Sequence, residues 1–145
     1  MPSSSNVVAI IDDDNISLLL IKKILEQKRI AENIFLFSSG FDALHYFENN
    51  IHNIEQLPSV LLLDITMPLM NGWQFLKEFQ KIEFTNDYKP AIFIISAGAN
   101  IDYEALKAYP CVKGFLLKPV IPEKLATMIE QSKLNNKKAI SLKHV

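Results

Sequence analysis

Five short apolar runs punctuate the chain: Val7–Ile11, Ile34–Phe37, Val60–Leu63, Ala91–Ile95 and Gly114–Leu117. The run Val60–Leu63 does not alternate with polar residues, so it reads as a strand covered on both faces, the pattern of a parallel sheet, and Val7–Ile11 and Ala91–Ile95 read as buried strands like it. Helical periodicity fills the intervals. Ile16 to Gln27 is predicted as a helix capped by Asp14 or Asn15, with Leu20, Ile21, Ile24 and Leu25 inward and Leu19 on the opposite side beside Lys23 and Glu26. Ser39 and Asp42 open a second helix reaching Asn49, with Ala43, Leu44 and Phe47 inward and His45 and Glu48 solvated. Asn71 caps a third, Gly72 to Ile82, whose inward residues are Phe75, Leu76 and Phe79, with Trp73 partly exposed. A fourth helix is predicted from Ile101 to Tyr109, ended by Pro110, and a fifth has Pro122 in its first turn and Leu125, Met128 and Ile129 inward.

Strands alternating with helices imply βαβ units, hence an α/β fold: a doubly wound, five-stranded parallel sheet flanked by five helices. A single domain over residues 6–133 is expected, followed by a flexible tail over 134–145, where periodicity is lost.

Composition narrows the classes. A formal net charge of -1 gives no electrostatic case for nucleic-acid binding. The lone Cys111 excludes an internal disulfide and reads as a buried structural thiol. Met1–Asn6 lacks the basic and apolar regions of a signal peptide, and no apolar run approaches the roughly 20 residues that span a bilayer, so a soluble, cytoplasmic chain without membrane insertion is expected. His45, His52 and His144 are scattered over helix, loop and tail, which argues against a histidine metal site.

Chemistry concentrates where the strands end. Asp12 and Asp13 follow the first strand, Asp64 ends the third, Ser96 the fourth and Lys118 the fifth, and in a parallel sheet all these ends open onto one edge. Close carboxylates repel unless a cation or shifted pKa values intervene. Oxygen-only ligands favour Mg²⁺ or Mn²⁺. Lys118 adds a fixed positive charge, and Ser96 a rotatable donor. A phosphoryl group satisfies all of them, with Asp64 as nucleophile. Any one acid is well explained as a cap or loop residue; five matched positions are not.

The motifs Asp12-Asp13, Leu61-Leu62-Leu63-Asp64-Ile65-Thr66-Met67-Pro68-Leu69-Met70-Asn71-Gly72, Ser96-Ala97 and Lys118-Pro119 resemble the receiver domain of two-component response regulators, over nearly the whole chain. The resemblance implies a flavodoxin-like sheet ordered 2-1-3-4-5 and a cis peptide before Pro119. It implies phosphorylation of Asp64 by a sensor histidine kinase or histidine phosphotransfer protein. It makes Asp13, Asp64 and the Thr66 backbone carbonyl the metal ligands, with Asp12 acting through water. Ser96, Ala97 and Lys118 would bind the phosphoryl group, and Phe115 would turn inward on activation, remodelling the fourth helix, fifth strand and fifth helix for a downstream protein. Phe115 lacks the hydroxyl of the tyrosine frequent there. A stand-alone signalling switch, monomeric or weakly dimeric, is the expectation, and exposed Leu19 is a candidate docking contact. A degenerate receiver that only binds proteins is disfavoured by the retained acids, Ser96 and Lys118. A haloacid-dehalogenase-type phosphatase needs a second acid where Thr66 stands, and a flavodoxin-like cofactor site needs a phosphate cradle where Asp12-Asp13-Asp14 would repel one.

Overall fold

The computed structural model describes residues 6–85, 87–98 and 101–143. The tail residues His144 and Val145, and Ala99 in the loop after the fourth strand, lie outside that range. Strands β1 (Val7–Ile11), β2 (Asn33–Phe37), β3 (Val60–Asp64), β4 (Ala91–Ser96) and β5 (Val112–Leu117) alternate with helices α1 (Asn15–Gln27), α2 (Gly40–Glu48), α3 (Gly72–Gln80), α4 (Tyr103–Leu106) and α5 (Pro122–Lys143). All pairings are parallel, in the order β2-β1-β3-β4-β5.

The central strands divide their side chains between two cores. Val8, Ile10, Val60, Leu62 and Phe93 join Leu18, Ile21 and Leu25 of α1 and Leu125 and Ile129 of α5 on one face. Ala9, Ile11, Leu61, Leu63 and Ile92 join Ala43 and Phe47 of α2 and Phe75, Leu76 and Phe79 of α3 on the other. Burial on both faces is why these strands read as unbroken apolar runs.

Three helices depart from the sequence expectation. In α1, Leu18 is buried and Leu20 is 58% exposed, the reverse of the inward assignment of Leu20. The run Ile16-Ser17-Leu18-Leu19-Leu20-Ile21 offers two overlapping apolar stripes. Packing against β1 and α5 selects the one through Leu18, Ile21 and Leu25, leaving Leu20 outside with Leu19. The fourth helix is a single turn, because amides 107–109 bond three residues back, to Glu104, Ala105 and Leu106, rather than four. Finally, α5 is helical to Lys143, past the predicted boundary at Lys133. No proline or glycine follows Pro122, and lysine, leucine and alanine sustain a helix without needing an apolar stripe. Among the described residues, no helix is long and apolar enough to cross a membrane.

Candidate functional site

The parallel register brings the strand ends to one level: Ile11 lies beside Leu63, Asp64 beside Ile95, and Ser96 beside Leu117. Backbone bonds continue the alignment past the strands, from Asp12 N–H to Phe37 O at 3.0 Å and from Lys118 N–H to Ser96 O at 2.8 Å. The topology therefore gathers Asp12, Asp13, Asp64, Ser96 and Lys118 at one edge of the sheet.

Ligand oxygens of Asp12, Asp13 and Asp64 all lie within 4.8 Å of one another, with Asp13 exposed and the other two buried. Asp12 is 1% and Asp64 4% exposed. Lys118 Nζ sits 2.8 Å from Asp12 Oδ2 and 3.6 Å from Asp64 Oδ2. The second oxygen of Asp12 accepts the Asp14 amide at 2.9 Å, and Asp64 Oδ1 accepts the Thr66 amide at 3.1 Å. Asp12 is thus committed on both oxygens, whereas Asp64 keeps Oδ2 turned toward the ammonium.

Burial, then the neighbouring Asp12 charge, lift the Asp64 carboxyl to about 6, against the opposing pull of the Thr66 amide and Lys118. Burial draws the Lys118 ammonium down, but Asp12 and Asp64 outweigh it and its pKa is raised. One lysine facing two of the three clustered acids leaves the cluster short of positive charge. The donors are hard oxygens without a histidine or cysteine, and that set fits a divalent Mg²⁺-like ion.

The remaining predicted residues are placed as follows. Ser96 is buried, its Oγ donating to Gly98 O at 3.0 Å and accepting the Gly98 amide at 3.3 Å. Ala97 and Thr66 are exposed in the loops beside the acids. The Lys118-Pro119 peptide is cis. Phe115 points outward, its ring edge-on to Tyr103 at 5.7 Å. Cys111 is half-buried rather than core, because it precedes β5 at the sheet margin; burial raises its thiol pKa. His45 and His52 stand apart from the acidic cluster, on α2 and in the α2–β3 loop.

Two contacts that shape the site have no signal in side-chain type. The Thr66 amide orients Asp64 through the backbone. Gly72, at the start of α3, packs so closely that a Cβ there would lie 2.8 Å from Ile65 Cα and 2.9 Å from the Asp64 carbonyl oxygen. Asn71 holds that helix start with a capping box completed by Gln74, of which only the Asn71 half was expected.

The family model for the response regulator receiver domain matches residues 8–130. The chain belongs to that family, whose members act as signalling switches in two-component systems. It is 28% identical over 124 residues to the peroxide stress-activated histidine kinase mak1 of Schizosaccharomyces pombe, covering 84% of this chain but 7% of the kinase. It is 24% identical over 128 residues to the probable methanogenesis regulatory protein FilR2 of Methanothrix harundinacea, covering 88% of this chain and 81% of that protein. A receiver domain structure from Clostridium thermocellum superposes with a TM-score of 0.72 at 26% identity, over 93% of this chain and 98% of that one. The receiver domain of the Arabidopsis thaliana histidine kinase CKI1, solved in complex with Mg²⁺, superposes with a TM-score of 0.72 at 22% identity, over 87% of this chain and 90% of that one.

Proposed function

We propose that Asp64 is a phosphoryl acceptor, loaded from a phosphohistidine on a sensor kinase or phosphotransfer protein. The observation that carries this reading is the buried Asp64 carboxylate with one oxygen anchored by the Thr66 amide and the other facing Lys118. The free carboxylate oxygen forms a bond to phosphorus as the phosphorus–nitrogen bond of the donor imidazole breaks. The bonding pair leaves with the imidazole nitrogen, which takes a proton from water. Lys118 stands where it neutralises charge on the transferring group's oxygens, and Asp12 holds that ammonium in place.

Asp13, Asp64 and the Thr66 carbonyl would hold Mg²⁺ or Mn²⁺, with Asp12 acting through water because both its oxygens are already engaged. When bound, the ion supplies the positive charge that lets carboxylate and phosphoryl oxygens approach. The CKI1 receiver, solved in complex with Mg²⁺, supports a divalent ion as the occupant.

Ser96 and Phe115 supply the readout. A phosphoryl oxygen is a stronger acceptor than the Gly98 carbonyl that Ser96 now uses, so the hydroxyl and the Ala97 amide are drawn toward Asp64. Phe115, resting on Tyr103, then moves inward, and the surface of α4, β5 and α5 presented to a downstream protein changes. The receiver module comprises residues 6–133.

Intact mass after incubation with acetyl phosphate and Mg²⁺ tests the assignment. One added phosphoryl group is expected, absent from Asp64→Asn and from an EDTA-treated sample. An adduct that persists in Asp64→Asn overturns it, as does wild type that neither forms an adduct nor binds Mg²⁺ with beryllofluoride.

A further inference from the structure

At the end of the sheet away from the acids, where β4 begins, lies a cavity of about 550 Å³ that the phosphoryl chemistry does not use. Its walls are the end of α3, with Leu76 and Phe79, the loop that follows, with Phe84 and Tyr88, and the segment leading into β5, with Tyr109 and Cys111. This volume and this apolar, aromatic lining are those of a small-molecule site. The walls are tied in place. Gln80 Nε2 donates to Ala108 O at 3.3 Å, the Tyr88 hydroxyl to Pro58 O at 2.5 Å, and the Ile92 amide to Cys111 O at 3.0 Å. Water finds few polar partners in such a space and gains little by filling it.

Charge at this cavity has one sign. Lys89 and Lys113, both exposed, line it, and no aspartate or glutamate does among the described residues. Lys113 owes its place to a backbone irregularity. Ile92 pairs with Val112 and Phe93 with Gly114, so Lys113 is the extra residue of a bulge in the edge strand β5. A bulge re-aims the side chain it carries, and Lys113 Nζ is steadied on Pro110 O at 3.3 Å. Burial raises the Cys111 thiol pKa while the Lys113 charge opposes it, so the field of that ammonium reaches the cavity wall.

We propose that this cavity binds a small organic acid with an apolar, aromatic body and one carboxylate. The body packs among Phe79, Phe84, Tyr88 and Tyr109, and the carboxylate faces Lys89 and Lys113. An organic cation would meet like charge there, and a polyanion would have to shed its hydration against apolar walls. A cavity of this size holds one such molecule, whereas a protein segment laid across the surface needs a longer groove. Once bound, the acid braces the end of α3 against the segment entering β5, across the gap that the Gln80–Ala108 bond already spans. The site shares no residue with the acidic edge, so the inference stands whether or not Asp64 is the acceptor.

Three probes of one shape test the site: 4-phenylbutyrate, its neutral amide, and the cation 4-phenylbutylamine. Each is titrated into the full chain while backbone amide resonances are followed by NMR. 4-Phenylbutyrate should give saturable shifts centred on Leu76, Tyr88 and Cys111, and contacts from its phenyl protons to the Tyr109 ring. It should bind about tenfold more tightly than the amide, the effect of two partly exposed charge pairs, and the amine should bind more weakly still. Lys89→Gln combined with Lys113→Gln changes two exposed side chains, leaves the walls intact, and should bind acid and amide alike. No saturable shift with millimolar 4-phenylbutyrate overturns the site, as do shifts centred elsewhere. Equal affinity for all three probes, or a preference for the acid that survives in the double variant, overturns the role of the lysines. A peptide ending in phenylalanine that binds the cavity where 4-phenylbutyrate does not would also overturn the proposal, by making a protein C-terminus the occupant.

Discussion

Replacing Asp64 by asparagine should make the metal-free protein more stable. The substitution keeps the shape of the side chain, retains an acceptor for the Thr66 amide, and removes a charge that burial and Asp12 both oppose. The folded carboxyl titrates at about 6, against about 3.9 in an unfolded chain. Two units at about 1.4 kcal/mol each give about 3 kcal/mol of stability forgone when Asp64 is ionised. The sign follows from proton uptake. The folded-state value is the higher one, so the cost of Asp64 is absent below pH about 4 and reaches its full size as pH rises through about 6. Asp64→Asn lacks that cost, so its advantage should be near its full size at pH 7 and small at pH 4. For 145 residues the unfolding entropy is about 0.3 kcal/mol per degree, so the gap at pH 7 corresponds to roughly 10 °C in Tm. Urea titrations in EDTA at pH 4 and pH 7 measure it. Millimolar Mg²⁺ should narrow the pH 7 gap, because only wild type gains from tight binding. A variant no more stable than wild type at pH 7, or an advantage equal at both pH values, would refute the electrostatic account of the site.

Two further substitutions probe its supports. Lys118→Met leaves Asp12 and Asp64 facing each other without their shared cation and should cost about 3 kcal/mol in EDTA. Mg²⁺ should then recover more stability for this variant than for wild type, as thermal unfolding with and without the ion will show; equal gains would mean that Lys118 does not compensate the acids. Gly72→Ala should lose about 1–3 kcal/mol despite the better helix propensity of alanine, because its Cβ would meet Ile65 Cδ1 at 2.5 Å and the backbone just beyond. Urea denaturation that shows no loss would mean that α3 shifts freely away from β3.

The site was legible because a parallel sheet converts strand ends into a common edge, so Asp12, Asp64, Ser96 and Lys118 could be grouped from the apolar runs that precede them. The same runs blurred helix phase. Leucines in succession from Leu18 to Leu20 satisfy more than one stripe, and the choice belongs to β1 and α5, which no local pattern encodes. The ends of α4 and α5 were missed for opposite reasons. The first had helical residues but little apolar surface to anchor a second turn, and the second has no proline or glycine to stop it where the apolar periodicity fades. Turn signals in Pro68 and Asn71-Gly72 marked the loop after Asp64 correctly. They gave no hint that the left-handed residue would be Leu69, since its residue type argues against that conformation.

The chain's single tryptophan follows Gly72, the residue packed against the Asp64 carbonyl, and stacks on Tyr109 beyond α4 at a centroid distance of 6.5 Å and a plane angle of 30°. One indole therefore joins the helix seated on β3 to the segment that leads into β5. Its emission is a built-in optical gauge of the spacing between them. Any event at the acidic edge that slides α3 or loosens the α4 turn changes the solvent and the phenol ring that this fluorophore sees, so a population of altered conformers can be counted in real time without attaching a label.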